Sequence, residues 1–199
     1  QLGQYSICSE KETSIDLPDE VKKAVIDSLV QHHGIQPAPD YQNVANVPGA
    51  VEAGSLASYT ERILVWHIAT SHCEDHRPVA EPTIQSDNRK VASILSRYCV
   101  YLVASAPELL SDGAAWYWFI VKGVREIAQS ELRGWGTWRI TKLVGKTRKG
   151  LHMEDEGRPS QRPDQVYREG KELGRQLLEV IEDEEELWQV LATLWTEML

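Results

Sequence analysis

The chain has 199 residues, room for one domain with a real core or two small ones at about 100–200 residues per domain, and we read it as one domain over 1–199. Its 42% hydrophobic and 26% charged residues exclude a disordered chain and a membrane bundle on composition. Thirty acids against 21 Lys and Arg, a formal net charge of -9, oppose sequence-independent attraction to phosphate backbones, so nucleic acid is not an expected partner.

In chain order, residues 1–15 read as an extended or irregular lead-in, and LPDEVKKAVIDSLVQHHG over 17–34 carries helix signals. Pro18 suits the first position and Asp19 and Glu20 the positive helix end. Val21, Val25 and Leu29 recur at helical spacing, and Gly34 suits the left-handed stop. Residues 34–55 hold three prolines and no apolar period, which predicts a long flexible loop. Leu56, Tyr59, Ile63, Trp66, Thr70 and Cys73 then follow 3,4 spacing, which predicts a second helix with one buried face.

A third helix is expected from Ser86 or Asp87 to Pro107, with Val91, Leu95, Tyr98 and Leu102 as its stripe. The fourth is AAWYWFIVKGVREIAQSEL, with Gly123 as a weak point. Residues 134–164 are glycine-rich and basic and read as a second long loop with at most a short strand or turn. The tail from Asp164 predicts two closing helices or one bent helix, and Asp183 three residues before Glu186 favours a break there. No strand meander or repeat interrupts this order, so the expected fold is all-α, an irregular bundle of about five to six helices with two long loops.

The tail LGRQLLEVIEDEEELWQVLATLWTEML, the segment ILVWHIATSHCE and the helix VASILSRYCVYLVASAPELL together resemble the plant domain of unknown function 594, whose members carry a WHIAT segment and a W…W.EML-like end. QYSICSEKET followed by LPDEVKKAVIDSL is similar to the stretch that leads into that region. The resemblance implies no reaction, cofactor or catalytic residue. It implies a setting: such proteins place a multi-spanning region, the domain of unknown function 4220, ahead of this part. The expectation is a helical appendage at the cytoplasmic face of a membrane, and a soluble, cytoplasmic piece when the chain is alone. Its uncharged apolar segments, such as Tyr98 to Pro107, are shorter than the ~20 residues a spanning helix needs.

The chemistry-bearing residues concentrate in ERILVWHIATSHCEDH, residues 61–76. On a helix His72 and His76 are four apart and Cys73 and His76 three apart, so a zinc ion can draw on His72, Cys73 and His76 if the helix runs that far. His67 lies about 140° round the helix from His72 and does not join them. The spacing is permissive, without the force of an HExxH motif. The bland reading is a hydrogen-bonded, half-buried His67 beside Trp66 and a polar helix end before Pro78, with Cys73 and Cys99 as buried apolar thiols. That reading is preferred, so no metal and no cofactor are expected. No nucleophile elbow and no phosphate loop occurs.

The expected function is therefore non-catalytic, binding a protein partner or the protein's own membrane-spanning region. A zinc-dependent hydrolase built on 67–76 is the alternative. Two binding surfaces follow. Trp188 and Trp195, seven apart, share a face with Leu187, Leu191, Leu194 and Met198 that is wider than one neighbouring helix covers, so loss of Trp195 should alter binding more than stability. Lys142, Lys146, Arg148 and Lys149, with Arg133 and Arg139 upstream, form a basic stretch suited to anionic lipid headgroups.

Overall fold

The computed structural model describes residues 1–7, 13–31, 47–56, 58–78, 86–106, 114–132 and 163–199. Among these residues an antiparallel pair, β1 (Leu2–Gln4) with β2 (Thr13–Ile15), is followed by seven helices: α1 (Asp19–Gln31), α2 (Pro48–Ser55), α3 (Tyr59–His76), α4 (Asp87–Ser105), α5 (Ala114–Leu132), α6 (Pro163–Val180) and α7 (Glu184–Glu197). In the hairpin Leu2 faces Ile15, Gly3 faces Ser14 and Gln4 faces Thr13. The fold is an all-α bundle, with this small sheet as the single one among the described residues.

Caps fix three of the helix starts. Ser58 accepts from the Glu61 N–H at 3.4 Å, Ser86 from Arg89 at 3.3 Å and the Asp183 carboxylate from Glu186 at 2.8 Å. Each satisfies a backbone donor the helix leaves open. The expected break near residue 183 is therefore a true end: α6 stops at Val180 and α7 restarts on the Asp183 cap.

The loop expected over 34–55 contains a helix. Residues 32–46 lie outside the described residues, but Pro48–Ser55 is α2. Its Gly49 and Gly54 disfavour a helix locally, and tertiary contact supplies what propensity does not. Val47, Ala50 and Ala53 are buried, and the Gln176 side-chain oxygen of α6 accepts the Gly49 N–H at 2.8 Å.

The bundle is organised round α3. Its residues Thr60, Glu61, Ile63 to Thr70 and Cys73 are all buried, so it has no solvent face over its middle, in contrast to the single stripe expected. α6 packs along one side of it, α4 along another and α2 against an edge, while α7 and α1 close over α4, and α5 touches both α4 and α6.

Close approach of α6 to α3 rests on Gly170 and Gly174. A Cβ on Gly170 would lie 2.6 Å from Ile68 Cβ and 2.9 Å from the Val65 carbonyl, and one on Gly174 2.7 Å from His72 Cβ. Gly123, the expected weak point of α5, has the same role: a Cβ there would meet the Pro163 ring at 2.5 Å. Among the described residues no helix is long and apolar enough to cross a membrane.

Candidate functional site

α3 carries the histidines and the cysteine, and the helices packed on it give each a separate environment. His67 is wholly buried. The Ile7 N–H donates to its Nε2 at 3.4 Å, so the ring proton sits on Nδ1 and is donated to Ser96 Oγ at 2.8 Å. Burial, helped by the positive charge of Arg97, lowers its pKa to about 3. The imidazole is thus a neutral pin between the hairpin, α3 and α4, more deeply buried than expected.

His72 and His76 do stand together, their ring centroids 4.0 Å apart. His76 Nδ1 donates to the His72 carbonyl at 2.8 Å, and His72 lies with its Cβ against Gly174. Burial, then the positive charge of Lys171, lowers the pKa of His72 to about 4. Cys73 turns away into the α3–α6 contact, where its thiol donates to the Gly174 carbonyl at 3.8 Å. Burial pushes its pKa up to about 12, so the thiolate that zinc requires is strongly disfavoured. Among the described residues no three His, Cys, Asp or Glu groups gather where they would hold a metal ion. His72, Cys73 and His76 are brought onto one helix end but do not converge.

The polar end of α3 is instead tied down by arginines. Arg97 of α4 donates to both Glu74 carboxylate oxygens at 3.0 and 3.2 Å, and Ser93 donates to the same carboxylate. Arg89, nearly buried, donates to the Arg77 carbonyl at 2.5 Å and the Glu74 carbonyl at 3.4 Å. It also pairs with Glu184 at 3.3 Å and lies 4.5 Å over the Trp188 ring. One guanidinium thereby satisfies carbonyls at the C-terminal end of α3 and anchors α7. No motif announced Arg89: it stands between Asn88 and Lys90 in the polar first turn of α4, and only its place two residues before Val91, the first of the apolar stripe, was visible in the sequence.

The tryptophan face expected to bind a partner is core. Trp188 and Trp195 are both buried, because α7 lies against α4 and reaches α3, where Trp195 Nε1 donates to Thr70 Oγ1 at 3.0 Å. Among the described residues the exposed large apolar side chains that cluster on one helix lie elsewhere, on α1, while Leu17, Val51, Val180 and Leu199 are exposed at separate places. Val21 faces the core with Ala24 and Val25 beside it, whereas Ile26, Leu29 and Val30 are 58%, 68% and 58% exposed. Leu29 is therefore not part of the buried stripe. The signal was a surplus of apolar residues: Ile26 and Val30, four apart, lie round the helix from Val21 and Val25. Lys142, Lys146, Arg148 and Lys149 lie outside the described residues.

No protein-family model, curated protein or solved structure matches this chain.

Proposed function

We propose that this chain is a non-catalytic helical domain that holds a protein partner on the outer face of α1, as the appendage of a plant membrane protein on its cytoplasmic side. The observation that carries this reading is the exposed run Ile26, Leu29 and Val30. Single exposed apolar side chains are ordinary, but three at i, i+3 and i+4 form a ridge. A ridge of that spacing fits between the side chains of a second helix, so the partner is an amphipathic helix. The plant and membrane setting rests on the resemblance of the WHIAT segment and the tail alone.

The test is site-specific photo-crosslinking from position 29 in a plant cell. A protein captured by the wild-type chain, lost with Ile26→Glu and retained with a substitution at exposed Val180, supports the reading. Capture that ignores Ile26→Glu overturns it, as does concentration-dependent self-association abolished by the same change, which would make a second copy the occupant.

A further inference from the structure

Among the described residues the hairpin β1–β2 is held to the helices by a small set of polar contacts, and one of them is titratable. Tyr5 N–H donates to the Arg97 carbonyl at 3.1 Å and the Gln4 side-chain amide to the Ile94 carbonyl at 3.2 Å. Gly3 lies under the Tyr101 ring with no space for a Cβ. Ile7, wholly buried, ends the strap by donating its N–H to His67 Nε2. A protonated imidazole carries N–H on both nitrogens and accepts nothing.

We propose that His67 is an acid-sensitive latch: protonating its ring expels the Ile7 amide and releases the N-terminal hairpin from α3 and α4 while the helices stay packed. Among the described residues the charged groups around the ring supply no counter-charge. Arg97 faces it from α4 with its guanidinium already held by Glu74 of α3. From α5 comes another cation, Arg125, 5.9 Å over the Tyr5 ring of the strap. Ser96 offers a neutral hydroxyl.

The direction follows from linkage. In the closed form the ring titrates at about 3, and once the hairpin opens it returns towards its ordinary value of about 6.5. Between those values the open form binds a proton that the closed form does not, so acid favours opening and the latch is fully engaged only above about pH 6.5. From pH 7 to pH 5 the open-to-closed ratio rises by up to about 25-fold, the full factor being reached if hairpin release exposes the ring to water.

Amide hydrogen exchange, corrected for the intrinsic pH dependence of exchange, reads this directly. The Tyr5 and Ile7 amides should lose up to about 25-fold in protection from pH 7 to pH 5, while amides of Val65 to Ala69 in α3 stay protected. His67→Gln, which keeps an acceptor but cannot titrate, should flatten the hairpin's profile. A flat wild-type profile overturns the latch. So does loss of protection in step across hairpin and helices, which would mean that the ring is reached only by global unfolding. Should His67→Gln not fold, the wild-type comparison of hairpin with α3 still decides.

Discussion

Trp195 donates its indole N–H to Thr70 Oγ1 at 3.0 Å, and Thr70 passes the bond on to the Trp66 carbonyl at 2.8 Å. A side chain near the end of the chain is thereby joined to the middle of α3. Thr70→Val keeps the shape and removes the acceptor, leaving a buried donor unpaired, so it should cost about 1–3 kcal/mol. Trp195→Phe in that background removes the orphan and should cost less than the two single changes together. Urea unfolding of the four proteins measures the coupling; additive costs would mean that the bond contributes nothing.

Trp195→Ala should unfold the domain about as easily as Leu191→Ala, each costing about 3–5 kcal/mol as a buried large-to-small change. Both residues are fully buried. A change in partner binding at unaltered thermal stability would restore Trp195 to the surface.

Gly170→Ala and Gly174→Ala test the α3–α6 approach. Alanine is favoured over glycine within a helix by about 1 kcal/mol. Here the added methyl meets the Ile68 side chain and Val65 carbonyl in one case and His72 and the Ala69 carbonyl, at 3.0 Å, in the other. Backbone cannot yield as a side-chain tip does, so we expect a net loss of about 1–3 kcal/mol. A rise in melting temperature would show that the helices separate freely.

Helix starts were legible where a cap was read: Ser86 and Asp183 each precede an apolar period, and the elements begin there, whereas the second helix was read from Leu56 and begins only after the Ser58 cap. α2 was not, since glycines obscure it and its stability comes from α6, over a hundred residues away in sequence. Faces were the weaker part of the reading. Periodicity locates apolar residues but not the number of neighbours, so α3 emerged with one buried face when it has several, and α7 with a spare face when α4 and Thr70 cover it. The site suffered likewise. The spacing of His72, Cys73 and His76 was visible, while the crossing at Gly174 that draws Cys73 away from the histidines is a property of two helices together.

Arg89 should matter more than its partner Glu184. Arg89→Ala leaves the Glu74 and Arg77 carbonyls without their donor, at about 1–3 kcal/mol, and removes the contact over Trp188, worth about 0.5–1 kcal/mol. Glu184 is 59% exposed, so Glu184→Gln should cost under about 1 kcal/mol. Thermal unfolding of the two variants gives the ranking, and equal losses would show that the ion pair, not the helix-end cap, is what counts.

Cys73 and Cys99 are buried thiols with pKa values pushed up by burial to about 12. At pH 8 nearly all of each remains protonated, and the thiolate is the species that reacts. Peptide-resolved alkylation with iodoacetamide should leave both unmodified in the folded chain and label both in denaturant. Rapid native labelling of Cys73 would place it on an accessible surface and reopen a metal role for it with His72 and His76.

α1 offers the sharpest separation of stability from binding, because one helix carries two apolar faces with opposite fates. Val21 is fully buried, and Val21→Ala removes about two methylene equivalents from the core, which should cost about 2 kcal/mol once the cavity is included. Ile26 and Leu29 face outward, so Ile26→Glu with Leu29→Glu breaks no core contact and should shift stability by under about 1 kcal/mol for the pair. The outer pair should nevertheless lose the partner if the ridge is what that partner grips. A fall in melting temperature with the outer variants as large as that from Val21→Ala would mean that the ridge is packed within the folded chain, and the binding face on α1 would have to be given up.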